Sequence, residues 1–280
     1  MRRPVDRSGA STGPLTIAVL AVRDRSRALA RQAFPRRHHH LVLARQLKDF
    51  RAAFHRQLVD VALVDLGAPN DETPHAIDLA REYPSTPFVG LTPLRSTDAS
   101  VVARCAASDF ADLAVDSVDD GHLLDLILPL SFTRRFAVAL REPHPVLHID
   151  TPLRRQAWSS LVGYGGRPVL TETLASGMGI TREHLSRAFA AGSNAPNIKR
   201  VIDLVRLLAA AELAKNPGYD VGDVAKVLGF ASSSHLSTTA QRIIGTRPTS
   251  LARLRAVDLF ERFGQGRNRS RRPNKPRPSH

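Results

Sequence analysis

The sequence predicts a parallel α/β domain followed by an all-α domain that carries two helix-turn-helix units. Three observations predict it. Five short apolar runs alternate with helical segments between residues 15 and 130. A helix–glycine turn–helix pattern occurs twice, at 175–190 and again at 225–242. Charge is divided unevenly: residues 1–150 hold 19 basic and 18 acidic residues, whereas 151–280 hold 21 and 8. The net charge is therefore +1 in the first half and +13 in the second, out of +14 for the chain.

Residues 1–14 are polar and basic, with no apolar run of signal-peptide length, and are expected to be disordered. The apolar runs then fall at 15–22, 40–44, 59–66, 87–91 and 110–115. Helical segments end near Phe34, Gln57, Tyr83, Ala107 and Leu130. Strands separated by helices imply a parallel sheet covered on both faces, and 15–130 is a single-domain length. Residues 131–152, with Arg134, Arg135, Pro143, Pro145 and Pro152, read as the linker, and its apolar segment 136–140 fits either a strand or a helix end.

The all-α domain is expected at 153–262. In its first unit Ala175 sits at a close helix crossing, Gly179 takes positive φ in the turn, and Ile180 anchors the turn. Thr181 caps the second helix and Leu185 faces inward. In the second unit Ala225, Gly229, Phe230, Ser232 and Leu236 repeat those roles. A helix over 196–216 joins the units, its Ile198, Val201, Ile202, Val205, Leu208 and Leu213 spaced mainly by three and four. Asn216, Pro217 and Gly218 stop it, and Asp220 with Asp223 opens the next. Residues 263–280 contain Arg267, Arg269, Arg271, Arg272, Lys275 and Arg277 with no apolar residue after Phe263, and are expected to be a disordered basic tail.

Residues 153–262 resemble the DNA-binding domain of AraC/XylS-type transcription regulators. The matching pieces are Leu174-Ala175, Leu185 to Phe189, Ala209 to Leu213, Val224-Ala225, Leu228 to Phe230, and Gly245 to Leu251. The resemblance implies seven helices and two recognition helices in successive major-groove segments. It places DNA contacts on Arg182, Glu183, Ser186 and Arg187 in the first unit, Arg187 suiting a guanine edge. In the second unit it places them on Ser233, Ser234 and Thr238, with His235 beside the backbone. There the chain departs from the family, which usually has Arg at the place of Thr238 and an aromatic at the place of Ala240. The second helix is expected to read bases less strictly.

Residues 15–130 are similar to a response-regulator receiver domain. Asp65, at the end of the third apolar run, occupies the phosphoacceptor position, and Thr92 that of the switch hydroxyl. Phosphoryl transfer to aspartate needs a divalent cation held by further carboxylates. Ala21 and Val22 fall where the family has an acidic pair, Asp24 comes too late, and Leu113 replaces a lysine. The expectation is a flavodoxin-like pseudo-receiver whose Asp65 is not phosphorylated.

The acidic run Asp109, Asp112, Asp116, Asp119, Asp120 and Asp125 reads as a solvated face, or as a surface that docks on the basic half. The cluster at His38, His39 and His40 lacks cysteine or carboxylate at ligand spacing, and the single Cys105 forbids an internal disulfide. No nucleophile elbow, Walker loop or dinucleotide fingerprint is present, so neither enzyme activity nor a cofactor or metal is expected. The resulting expectation is a cytoplasmic, sequence-specific transcription regulator. Its partners are double-stranded DNA, a second copy of the chain and RNA polymerase, with no membrane. The alternatives are a response regulator that uses phosphorylated Asp65 and a non-specific architectural DNA binder.

Overall fold

The computed structural model describes residues 14–191 and 195–269, without the side chains of 267–269. The two ends expected to be disordered, 1–13 and 270–280, lie outside the described residues.

The first half is a five-stranded parallel sheet in the order β2-β1-β3-β4-β5. The strands are β1 (Thr16–Leu20), β2 (His40–Ala44), β3 (Val61–Asp65), β4 (Phe88–Thr92) and β5 (Asp112–Val115). Helices α1 (Asp24–Ala33), α2 (Leu47–Phe54), α3 (Thr73–Glu82), α4 (Ala99–Ala107) and α5 (Leu123–Leu130) alternate with them. Side chains of a strand point alternately to its two faces, and the apolar runs fill both. Ala18, Ala62, Val64 and Phe88 pack with Phe50, Phe54 and Ile77 of α2 and α3. Ile17, Val19, Val61, Leu63 and Leu91 pack with Leu29 of α1 and Leu123 and Ile127 of α5. This is the flavodoxin-like arrangement expected from the sequence.

The second half is helical: α6 (Phe132–Ala139), α7 (Pro152–Val162), α8 (Thr171–Gly177), α9 (Arg182–Ala190), α10 (Ile198–Leu213), α11 (Val221–Val227), α12 (Ser233–Ile244) and α13 (Ala256–Arg269). Helix α10 is the hub, buried on most of its surface and packed on α7, α9, α11, α12 and α13. No helix among the described residues is long and apolar enough to cross a membrane.

Two expected boundaries change. Residues 131–152 are folded rather than a loose connection. Phe132, Phe136 and Leu140 recur every four residues along and just past α6 and join the helical core, together with Leu147 and Ile149. The flanking prolines and Arg134-Arg135 obscure that periodicity in the sequence. At the other end the fold runs past 262, because Phe263 is fully buried with Leu259 and Phe260 on one face of α13. Gly264 and Gly266 inside that helix disguise it as tail.

The two halves are joined by a buried ion pair. Asp60, immediately before β3, is completely inaccessible. One carboxylate oxygen accepts from the Thr16 backbone N–H at 2.7 Å and from Arg167 Nη2 at 2.5 Å. The other accepts from the Thr133 N–H at 3.1 Å and its hydroxyl at 2.6 Å. Arg167, in the loop before α8, also donates to the Leu58 carbonyl at 3.0 Å and the Thr133 hydroxyl at 2.8 Å. A second seam lies at the α10–α11 turn. Asn216 exchanges hydrogen bonds with Ser85, and the Gly218 N–H donates to the Glu82 carbonyl at 2.9 Å. The His55 ring bridges the Tyr83 hydroxyl at 3.1 Å and the Asp223 carboxylate at 2.9 Å. The Tyr219 hydroxyl donates to the Phe54 carbonyl at 3.0 Å. Burial works against ionisation of Asp223, but hydrogen bonds from His55 and from the Asp220 N–H outweigh it and hold its carboxyl below the ordinary value.

Removing one partner of a buried pair strands the other charge, so Arg167→Met should cost about 3 kcal/mol in urea unfolding. The double variant Asp60→Asn/Arg167→Met should recover part of that loss; an undiminished loss would refute the pairing. Asp223 gives a pH signature. Because its folded pKa is depressed, its contribution is full above the ordinary carboxylate value and disappears as pH falls through the folded value. The stability gap between wild type and Asp223→Asn, about 1 kcal/mol at neutral pH, should therefore close below pH ~3, the acid side of the ordinary carboxylate range. A gap independent of pH would contradict this.

Candidate nucleic-acid interface

The two helix-turn-helix units are built by the same local chemistry. In the first, α8 ends in a turn where Gly179 has φ +71°. The Ile180 N–H donates back to the Ala175 carbonyl at 3.1 Å, and the Gly179 N–H to the Ser176 carbonyl at 3.1 Å. In the second, α11 ends with Gly229 at φ +65°. There Phe230 donates to Ala225 at 2.8 Å and Gly229 to Lys226 at 3.0 Å. Both are glycine C-caps with a six-to-one bond, and a Cβ at either glycine would force the left-handed region on a residue that resists it. The next helices are capped alike: the Thr181 hydroxyl accepts from the His184 N–H at 3.2 Å, and the Ser232 hydroxyl from the His235 N–H at 3.1 Å. Ala175 and Ala225 are buried at the crossings, as are Leu185 and Leu236.

The outward faces of α9 and α12 carry the residues singled out in the sequence. Arg182, Glu183 and Arg187 are exposed, and Ser186 is half-buried. Among the described residues no carboxylate pairs with Arg182 or Arg187, so both guanidinium groups keep their donors for another partner. On α12, Ser233, Ser234, His235 and Thr238 are exposed. The Thr238 hydroxyl donates to the Ser234 carbonyl at 3.0 Å, which leaves it only acceptor capacity. His235 braces its own turn, where its Nδ1 accepts the Ala231 N–H at 3.3 Å and its ring meets Phe230 edge-on at 5.6 Å. Its free nitrogen, Nε2, then carries the proton. Ala240, where the resembled family has an aromatic, is fully buried.

Three arginines that position this face are not evident from the sequence motifs. Arg154, in the first turn of α7, is buried; it donates to the Ala188 carbonyl at 2.9 Å, the His148 carbonyl at 2.8 Å and the Ala191 carbonyl. It therefore holds the C-terminal end of α9, where unpaired carbonyls and the negative end of the helix dipole favour a cation. Its sequence signal is its spacing. It falls three, four, seven and eight residues before the buried Ala157, Trp158, Leu161 and Val162, an apolar-face position held by a charge. Arg206 of α10 lies 3.8 Å over the Phe230 ring and donates to the Leu228 carbonyl at 3.0 Å, bracing the second turn. Arg242 of α12 pairs with Asp203 of α10 at 2.8 Å.

In the first half, the receiver-like site is occupied by the chain's own cation. Asp65 closes β3, and Arg23, just after β1, reaches it with Nε at 2.7 Å, Nη2 at 2.5 Å and its backbone N–H at 3.2 Å. Nη1 of the same guanidinium reaches Asp116 at 2.6 Å. Burial opposes the Arg23 charge, but the two carboxylates outweigh it and raise its pKa. The Asp65 side chain is 1% exposed. Thr92 is buried, its hydroxyl bonded to the Leu94 N–H at 3.0 Å and to Asp98 at 3.4 Å rather than to Asp65. No cluster of three or more His, Cys, Asp or Glu able to hold a metal occurs among the described residues. The docking option for the acidic run is not met in the described contacts: Asp116 and Asp120 pair with Arg23 and Arg25 of their own half. Cys105 is buried, and burial pushes its thiol up to about 11.

Part of the chain is similar to known proteins. Residues 174–253, which span both helix-turn-helix units, match the family described as "Helix-turn-helix domain". Among solved structures the chain is similar to a response regulator from Thermotoga maritima, at 16% identity and a TM-score of 0.36, over 42% of this chain and 97% of that one. It is also similar to full-length FixJ from B. japonicum, at 12% identity and a TM-score of 0.37, over 81% of this chain and 95% of that one. No curated protein matches the chain.

Arg154→Met leaves three carbonyls of α9 and its surroundings without their donor. It should lower stability by about 2 kcal/mol and accelerate amide exchange first in α9. Unchanged exchange in α9 would show that the arginine does not hold the helix.

Proposed function

Residues 174–253 being a helix-turn-helix domain, we propose that the chain is a cytoplasmic, sequence-specific transcription regulator that reads adjacent major-groove segments with α9 and α12. The observation that carries this reading is the repetition of one turn and cap geometry in two units that expose polar side chains. The net charge of +13 over residues 151–280 supplies the sequence-independent attraction to phosphates. The two helices divide the work unequally. Arg187, with Arg182, suits bidentate reading of guanine. Ser233, Ser234 and Thr238 offer short hydroxyls, better suited to phosphates, and His235 is left with one donor after bracing its turn. Glu183 and Ser186 complete the first reading face.

The first half acts in this proposal as a pseudo-receiver, a body for dimerisation or partner contact, with RNA polymerase a further partner once the regulator sits on a promoter. Arg23 supports that reading. It supplies at Asp65 the positive charge that a divalent cation would otherwise bring, and it occupies the carboxylate oxygens on which a phosphoryl group would form.

Binding-site selection from random duplexes tests the main proposal. The full-length chain should enrich a bipartite motif with blocks about 10 bp apart, one helical turn. Arg187→Ala should lose one block, at a cost of roughly 1–3 kcal/mol on the preferred site. Binding without enrichment, falling steeply with salt, would instead indicate a non-specific DNA binder. For the first half, incubation with acetyl phosphate and Mg²⁺ should leave the intact mass unchanged. A phosphoryl adduct lost in Asp65→Asn would overturn the pseudo-receiver reading.

A further inference from the structure

A cleft of about 460 Å³ opens at the junction of the two halves, between α6, the C-terminal part of α10, α13 and the loop carrying Pro84 and Ser85. That volume is in the range of small-molecule sites, which run to roughly 300–1,000 Å³. Its walls are apolar, formed by residues such as Phe136, Leu208 and Leu259. Its polar groups gather at one place: Arg135, Lys215 and Glu212. Lys215 and Glu212 pair with each other at 2.7 Å. Arg135 donates one nitrogen to the Ser85 carbonyl at 2.7 Å, and no carboxylate pairs with it among the described residues. An apolar chamber with one unbalanced positive charge beside it selects a ligand of matching build.

We propose that this cleft is an effector site for a small amphipathic monoanion, an aromatic or branched aliphatic body carrying one carboxylate. The planar guanidinium of Arg135 keeps donors beyond the one given to Ser85 and can take a carboxylate edge-on. The position gives occupancy a consequence. Ser85 belongs to the first half, while α10 packs on both reading helices. A ligand seated between them acts on the helix that fixes one unit relative to the other, and shifts DNA affinity only by its differential affinity for the two arrangements.

The chain carries its own reporter. Trp158 is the single tryptophan, and its indole N–H donates at 2.7 Å to the carbonyl of Leu140, a wall residue of the cleft. The test is titration of the full-length protein with 4-tert-butylbenzoate and with the corresponding neutral amide, read by Trp158 emission and by thermal melting. The carboxylate should give saturable changes in both and bind at least fivefold more tightly than the amide. Arg135→Gln should remove that preference. Ala139→Phe, at an exposed position of the cleft wall, should abolish binding while its ligand-free melting stays like wild type. Absence of any saturable change, equal affinity for acid and amide, or undiminished binding in Ala139→Phe would each overturn the proposal. None of these readouts involves DNA, so this test and that of the DNA-reading proposal fail separately.

Discussion

Everything in this molecule that concerns two halves acting together depends on the carboxylate of Asp60. It has no contact with water, and an unpaired charge at such a place is untenable. Its four donors come from β1, from α6 and from the loop before α8. Three segments distant in sequence must therefore converge for the charge to be satisfied, and two of them, α6 and the loop before α8, are in the helical half. The pair is a weak source of net stability, since desolvation offsets most of the attraction. Its effect is on geometry: alternatives that separate Arg167 from Asp60 are costly, so one placement of the helical half is favoured. The tyrosine–histidine seam at Asp223 adds a second point of attachment, and two points resist the pivoting that one would permit.

Strand β3 has an aspartate at each end, with opposite consequences. Asp60, before its first residue, binds the helical half. Asp65, its last residue, lies at the carboxyl edge of a doubly wound sheet, where such sheets place their ligands. There the chain has turned inward. Arg23 spans Asp65 and Asp116 and pairs with both. The sheet carries an aspartate at the end of β3, and a guanidinium is seated on its carboxylate. The helical half is fixed to this sheet domain through Asp60 and the seam at Asp223.

Much of this was legible in the sequence because it rests on local rules. Glycine at 179 and 229, hydroxyls at 181 and 232, and five short apolar runs declare turns, caps and strands without reference to distant contacts. The absence of an acidic pair at 21 and 22 was legible for the same reason. What was not legible depends on pairing across the chain. Asp60 and Arg167 are 107 positions apart, and neither has a neighbour that announces its partner. Arg23 reads as one more surface arginine until the sheet brings Asp65 and Asp116 beside it. The burial of the helix at Phe132–Ala139 and of Phe263 was not legible because prolines and glycines flank them, and the apolar spacing that buries them gains meaning only against α7 and α10. The face of α9 was legible, but Arg154, which holds its end, was not.

The buried Asp60–Arg167 pair and the α11 seam make the receiver-like and helix-turn-helix halves one cooperative body. Differential scanning calorimetry of the full-length chain tests it most directly. The account predicts a single transition whose calorimetric and van't Hoff enthalpies agree, splitting into two in Arg167→Met. Two separate transitions in the wild-type chain would contradict it.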